Sequence, residues 1–168
     1  IVKNCVETGH WRKVKNAIHD QLDKYKVGGY EFNGYLSCVN SLETYYRTNM
    51  DFLKTKVNTE LFLGDRPIVT KSKDESPTKY TKNSKVKNSI VANGSIIEGT
   101  VENCVISRRV TIGKGAVLKN CIILQSTEIG KNAELTNVIA DKGVTIDDRK
   151  VLKGDSQYPL VIIRKDMF

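Results

Sequence analysis

Two histidines, four cysteines and an excess of lysine and arginine are the side chains of this 168-residue chain best suited to chemistry. Histidine is the commonest general base, but His10 and His19 both precede the repetitive part of the chain, and none follows. Cys5, Cys38, Cys104 and Cys121 form no C-x-x-C pair and have no histidine cluster beside them. That argues against a zinc site and against a disulfide-stapled secreted fold. Arg109, within Val105-Ile106-Ser107-Arg108-Arg109-Val110, carries a guanidinium suited to bidentate phosphate binding; the alternative is a solvated arginine on a strand. The formal charge is +8, from 27 basic and 19 acidic residues. It fits phosphorylated metabolites or a merely solvated lysine-rich surface. Lys71, Lys73, Lys79, Lys82 and Lys85 have no interleaved aromatic except Tyr80, which disfavours nucleic acid. No apolar run approaches the roughly 20 residues needed to span a bilayer, and no signal peptide is recognisable at the start. A cytoplasmic piece of a longer protein is expected, since the chain opens on Ile1.

These side chains must be positioned by a repeat. Val101-Glu102-Asn103-Cys104-Val105-Ile106 aligns with Leu118-Lys119-Asn120-Cys121-Ile122-Ile123 and with Leu135-Thr136-Asn137-Val138-Ile139-Ala140, at a period of seventeen. A shorter unit, Val86-Lys87-Asn88-Ser89-Ile90-Val91, lies fifteen residues upstream. Three short strands per coil predict a triangular prism with aliphatic residues inside and tight turns at its corners. Gly113, Gly115, Gly130 and Gly143 suit such corners through positive φ. Asn88, Asn103, Asn120 and Asn137 recur at one phase, where asparagine tolerates the left-handed region and its amides could bond coil to coil. A bond between Cys104 and Cys121 is permitted by distance, but packed or surface thiols are expected in a reducing cytosol. Residues 151–168 leave the repeat, with a strand at Tyr158 to Ile163 expected to cap the open end.

The earlier part reads differently. Trp11, Val14, Ile18, Leu22 and Tyr25 predict an amphipathic helix over 9–24. Tyr30-Glu31-Phe32 and residues 35–39 predict two strands about Asn33-Gly34. Asn40 followed by Glu43 predicts a helix start, with Leu42, Tyr45, Tyr46, Met50 and Leu53 as its apolar stripe. The expected organisation is an α/β segment over 1–63, a linker over 64–85 and the prism with its capping strand over 86–168.

The repeat resembles the hexapeptide repeat of the left-handed parallel β-helix, from which its handedness is taken. Gly34 to Asp51 resembles the closing segment of a sugar-nucleotidyltransferase domain, where the pattern is G-Y-W-x-D-V-G-T-I-x-x-Y-x-x-A-N-x-D. With Pro77-Thr78-Lys79-Tyr80 and Asn88 to Gly94, the chain from about Gly28 onward is similar to bacterial ADP-glucose pyrophosphorylases, in particular their D-type regulatory subunits. The resemblance implies a mainly β fold preceded by the α/β tail end of a nucleotidyltransferase domain. It implies a part in glycogen biosynthesis, where the holoenzyme makes ADP-glucose and pyrophosphate from ATP and glucose 1-phosphate with magnesium. The implied partner is the catalytic C-type subunit, in a homo- or hetero-oligomer, with a sugar-phosphate or nucleotide effector and Arg109 at its site. Cys38 stands where the family places its metal-binding aspartate. A thiol is a poor magnesium ligand, so no catalytic or metal-binding residue is assigned here, and the fragment is expected to be inactive alone. A hexapeptide acyltransferase and a ligand-free oligomerisation module remain the alternatives.

Overall fold

The structure, a computed structural model, describes residues 3, 6–7, 9, 14–65, 67–70 and 73–164. Two compact units divide it, residues 1–34 and 35–168. In the first, helix α1 spans Val14–His19 and runs into turns. Ala17 and Gln21 are buried, whereas Ile18, Leu22 and Tyr25 stay exposed. On its C-terminal side the helix stops at His19, short of the residue 24 that its periodicity predicts, because a short helix depends on packing of its apolar face. His10 and Trp11 lie outside the described residues.

The two strands expected around Asn33-Gly34 are not formed. Tyr30, Phe32, Leu36 and Val39 are exposed, and the later segment is held by side chains on the following helix, Tyr35 to Asp51 at 3.0 Å and Ser37 to Thr48, with no neighbouring strand to pair with among the described residues. A lone hairpin is marginal in water without such support. Among the described residues, everything before Lys79 is helical or irregular.

Helix α2 (Leu42–Asp51) follows the predicted stripe but starts from a different cap. The Ser41 Oγ accepts from the Thr44 backbone N–H at 3.1 Å, and the Thr44 Oγ1 accepts from the Ser41 N–H at 3.0 Å. This reciprocal box sits one residue later than Asn40 and Glu43 would place it, with threonine replacing the usual acid. Helix α3 (Thr55–Asn58) continues into a π-helical turn, Thr59–Leu63, where Phe52 and Phe62 meet edge to face at 5.7 Å.

Among the described residues, fifteen short strands then wind into three parallel sheets of five. The first sheet stacks Lys79–Tyr80, Ile96–Ile97, Thr111–Ile112, Glu128–Ile129 and Thr145–Ile146. Its first strand lies within 64–85. The second sheet runs from Lys85–Lys87 to Val151–Lys153, and the third from Ile90–Val91 to Leu160–Ile162. In the second sheet Val86 pairs with Val101, Leu118, Leu135 and Leu152 in turn, which is one step of fifteen followed by steps of seventeen. The capping strand joins the third sheet with Val161 beside Ile139.

Val101, Ile106, Ile112, Leu118, Ile123, Ile129, Leu135, Ala140 and Ile146, which begin successive units of five or six residues, are all buried in the prism core. The residues four places on do not behave alike. Val110, Ala116, Thr127, Ala133 and Val144 are buried in or beside that core, but Val105, Ile122 and Ile139 belong elsewhere. The unit from Val101 to Ile106 is one residue shorter than its neighbours, so Cys104, Cys121 and Val138 take the inward small position.

The glycines also divide by cause. Gly115 and Gly143 have φ of +75° and +66°, as corners require, whereas Gly113 and Gly130 do not have positive φ. A Cβ on Gly130 would lie 2.5 Å from the backbone nitrogen of Asp148. There the next coil simply passes too close for a side chain.

Candidate functional site

The asparagine phase builds one wall of the site. Asn88, Asn103, Asn120 and Asn137 have φ of +44°, +52°, +52° and +54°. Each amide donates to the next coil: Asn88 to Asn103 at 2.7 Å, Asn103 to Asn120 at 3.3 Å and Asn120 to Asn137 at 3.2 Å. Asn137 ends the ladder by donating to the Gly154 carbonyl at 3.0 Å.

Beside the ladder, the third sheet turns Ile122 and Ile139 outward, where they pack with Tyr46 of α2. The Tyr46 hydroxyl donates to the Asn120 carbonyl at 2.7 Å. Burial, with Cys121 and Cys104 nearby, pushes the Tyr46 phenol up to about 12. A cavity of about 350 Å³ remains between α2 and the ladder, lined by Met50, Leu53 and Lys54 on one side and the four asparagines on the other. Lys54 is engaged by Asp51 at 2.7 Å.

Behind the ladder, the cysteines are free thiols that bond coil to coil. The Cys121 N–H donates to the Cys104 Sγ at 3.3 Å, as the Cys104 N–H donates to the Ser89 Oγ at 3.0 Å. The hydrogen bond with Cys121 and burial push the Cys104 thiol up. Both side chains are buried in the prism core, where they pack out of reach of a substrate.

Cys38 is exposed on the irregular segment before α2. No group of three metal-ligating side chains converges among the described residues. A soft thiol does not fit magnesium, which takes hard oxygen ligands in octahedral geometry.

Arg109 sits one corner on from the asparagine wall, between the third and first sheets, with φ of +58°. Its Nη2 binds the Glu75 Oε1 at 2.6 Å, and that hydrogen bond holds the Glu75 carboxyl below its usual range. Arg109 and Cys38 are thus on separate features, the one a solenoid corner and the other a loop. Sequence reasoning did not single out Tyr46 as a site residue, nor Arg108, Gln125 and Lys142. These last three line a second cavity, of about 270 Å³, together with Ala92, Ser107 and Leu124. Their signal was present in the period, because each lies seventeen residues from the next.

His19 ends α1 and is exposed, 3.3 Å from the Asp20 carboxylate. No helix among the described residues is long and apolar enough to cross a membrane.

Comparison with known proteins agrees with this architecture. The chain is 47% identical over 152 residues to the glycogen biosynthesis protein GlgD of Bacillus subtilis, covering 90% of this chain and 44% of that protein. It is 40% identical over 117 residues to a glucose-1-phosphate adenylyltransferase of Mycoplasma mobile, covering 69% of this chain and 29% of the relative. A Clostridium perfringens glucose-1-phosphate adenylyltransferase is 33% identical over 106 residues, covering 62% and 27%. The chain therefore spans less than half the length of these relatives. Residues 75–158 match the family described as GlmU-like, C-terminal hexapeptide, whose repeat is that of the left-handed β-helix seen in the three parallel sheets. With half its length inside that match and a coil repeat of the same kind, this chain belongs to the GlmU-like C-terminal hexapeptide family.

Proposed function

We propose that this chain is the C-terminal part of a glycogen-biosynthesis subunit related to glucose-1-phosphate adenylyltransferase, and that it serves assembly and allosteric control. The names of its relatives support the pathway and the enzyme class. One observation carries the division of labour: the position of the family's metal-binding aspartate is Cys38, an exposed thiol. Without a hard ligand there, the charge developing on a transferring nucleotidyl phosphate would be left under-neutralised. Magnesium and the conversion of ATP and glucose 1-phosphate to ADP-glucose then belong to a catalytic partner subunit, with which this chain associates. The histidine-free prism supplies no base for acyl transfer.

In this reading the prism is a rigid frame whose corner near Arg109 meets an effector phosphate. Glu75 already holds that guanidinium, so an effector would have to displace the carboxylate. The test is to assay the full-length subunit alone and with its catalytic partner. Negligible activity alone and an altered effector response on mixing are expected. Substantial activity from this subunit by itself would overturn the assignment. In the mixed enzyme, Arg109→Ala is expected to shift the effector activation curve; an unchanged curve would remove Arg109 from that role.

A further inference from the structure

The chain contains two Asn-Gly steps, Asn33-Gly34 and Asn93-Gly94, and both asparagines are exposed. Such a step favours an intramolecular reaction. The following glycine has no side chain to block its own peptide nitrogen, which, once deprotonated, attacks the asparagine Cγ. What separates the two steps is the state of that nitrogen. The Gly94 N–H donates to the Ser76 carbonyl at 2.6 Å, and the Asn93 carbonyl accepts from the Arg109 N–H at 3.3 Å. With φ of +78° at Gly94, this step is a fixed corner of the prism. Two Asn-Ser steps are held in the same way. The Ser41 N–H donates to the Thr44 Oγ1 at 3.0 Å and the Ser84 N–H to the Thr81 carbonyl at 3.0 Å. The Gly34 N–H, by contrast, has no hydrogen-bond partner among the described residues. A closed hairpin would have fixed Asn33-Gly34 in a tight turn, but it is not formed, and residues 28–34 carry neither helix nor strand. One residue later the chain is anchored. The Tyr35 N–H donates to the Glu60 carboxylate, and its hydroxyl to Asp51 at 3.0 Å.

We propose that Asn33-Gly34 is a self-modification site, at which the native chain converts Asn33 to aspartate and isoaspartate while Asn93 is preserved. The Gly34 nitrogen bonds to the Asn33 Cγ, the Cγ–Nδ2 bond breaks, and ammonia leaves carrying the proton lost from Gly34. A cyclic succinimide remains. Water then adds to one of its two carbonyls. Opening the bond from Cγ to the Gly34 nitrogen gives aspartate. Opening the bond from the Asn33 carbonyl carbon to the same nitrogen gives isoaspartate, whose backbone runs through Cγ. One water is consumed and one ammonia released, and no oxidant enters. Either product adds a carboxylate and lowers the formal charge of +8 by one. Isoaspartate also lengthens the backbone by one carbon where the first compact unit ends, just before the anchor at Tyr35. The reaction needs neither magnesium nor a partner subunit, so it stands apart from the glycogen-biosynthesis reading.

The experiment holds the whole 168-residue chain in mildly alkaline buffer and follows residues 33 and 93 by peptide mass mapping, with isoaspartate and aspartate separated by retention time. Asn33 is expected to convert about tenfold faster than Asn93, because Asn93 must first give up the Gly94 hydrogen bond. In urea strong enough to unfold the chain, this preference should vanish. Isoaspartate should accumulate beside aspartate at residue 33. Gly34→Ala should slow Asn33 about tenfold, by setting a methyl group against the attacking nitrogen, and leave Asn93 unchanged. Equal native rates, faster conversion at Asn93, or a preference for Asn33 that persists in urea would overturn the assignment. So would a Gly34→Ala rate equal to that of the parent. Aspartate without isoaspartate would replace the cyclic route with direct hydrolysis, and the proposal would fall with it.

Discussion

The Tyr46 hydroxyl donates to the Asn120 carbonyl across 74 residues of chain at 2.7 Å and lies 3.5 Å from the Asn137 Oδ1, which ties helix α2 to the corner of the prism. Its ring also covers Ile122 and Ile139 on the outer face of the third sheet. Tyr46→Phe keeps the ring and removes the donor, leaving the carbonyl short of a partner. The expected loss is about 1 kcal/mol, read as a lower urea midpoint with unchanged slope. Tyr46→Ala should cost about 3 kcal/mol or more, because it also empties the packed space.

The same hydroxyl makes stability fall at high pH. Burial raises the folded phenol from its ordinary 10 to about 12, so the folded state favours the protonated form. That contribution is complete below pH about 10 and is lost as the pH climbs through the folded value near 12. Denaturation midpoints taken between these limits should decline in the parent chain more steeply than in Tyr46→Phe. Parallel declines would show that the phenol is not the responsible group.

The asparagine ladder combines two roles that substitutions can separate. Asn120→Gly keeps the left-handed backbone at +52° but deletes the amide bonds to Asn103 and Asn137. About 1–2 kcal/mol of destabilisation is expected from the lost bonds. Asn120→Ala loses the same bonds and adds about 1 kcal/mol of left-handed strain. Equal midpoints for the two variants would mean that the backbone conformation contributes nothing at this corner.

The prism was legible because a seventeen-residue period repeats apolar residues and asparagines at fixed phase, and such patterning survives without tertiary information. Asn88 through Asn137 stack as that phase requires. The inward turn of Cys104 and Cys121 was hidden by a five-residue unit, which shifts the small position by one and sends Ile122 and Ile139 outside. The strands expected at residues 30–32 and 35–39 failed for a different reason. Their local signals were sound, but strand formation needs a neighbour, and sequence pattern does not say whether one is present. Tyr46 read as one member of a helical stripe. Its hydroxyl partner lies too far along the chain for spacing to reveal.

The thiol ladder predicts how the cysteines react. Cys104 and Cys121 have no exposed surface, and each Sγ hydrogen-bonds the carbonyl two residues before it, at 3.1 Å. A thiol reagent should label Cys38 rapidly in the native chain and reach Cys104 and Cys121 only at the rate of unfolding. Peptide mapping after a short pulse distinguishes them. Cys104→Ser should stay within about 1 kcal/mol of the parent, because Ser89 already plays this part with oxygen in the coil above, whereas Cys104→Ala should cost about 1–3 kcal/mol by stranding the Cys121 N–H.

Two glycines test whether backbone freedom or close approach governs the corners. Gly143 has φ of +66°, and an added Cβ would meet only the Arg164 side chain, at 3.6 Å. Gly143→Ala should therefore cost about 1 kcal/mol, and Gly143→Asn less, since asparagine tolerates the left-handed region. Gly130 lacks positive φ, and its Cβ would strike the Asp147 carbonyl carbon at 2.6 Å and the Asp148 nitrogen at 2.5 Å. Both are backbone atoms of the next coil and cannot rotate away, so Gly130→Ala should cost about 1–3 kcal/mol through displaced packing. Asparagine brings the same Cβ, so Gly130→Asn should be no better than alanine. Rescue by asparagine at Gly143 but not at Gly130, measured as thermal midpoints, is the expected pattern; rescue at both would place the Gly130 requirement in its backbone angle instead.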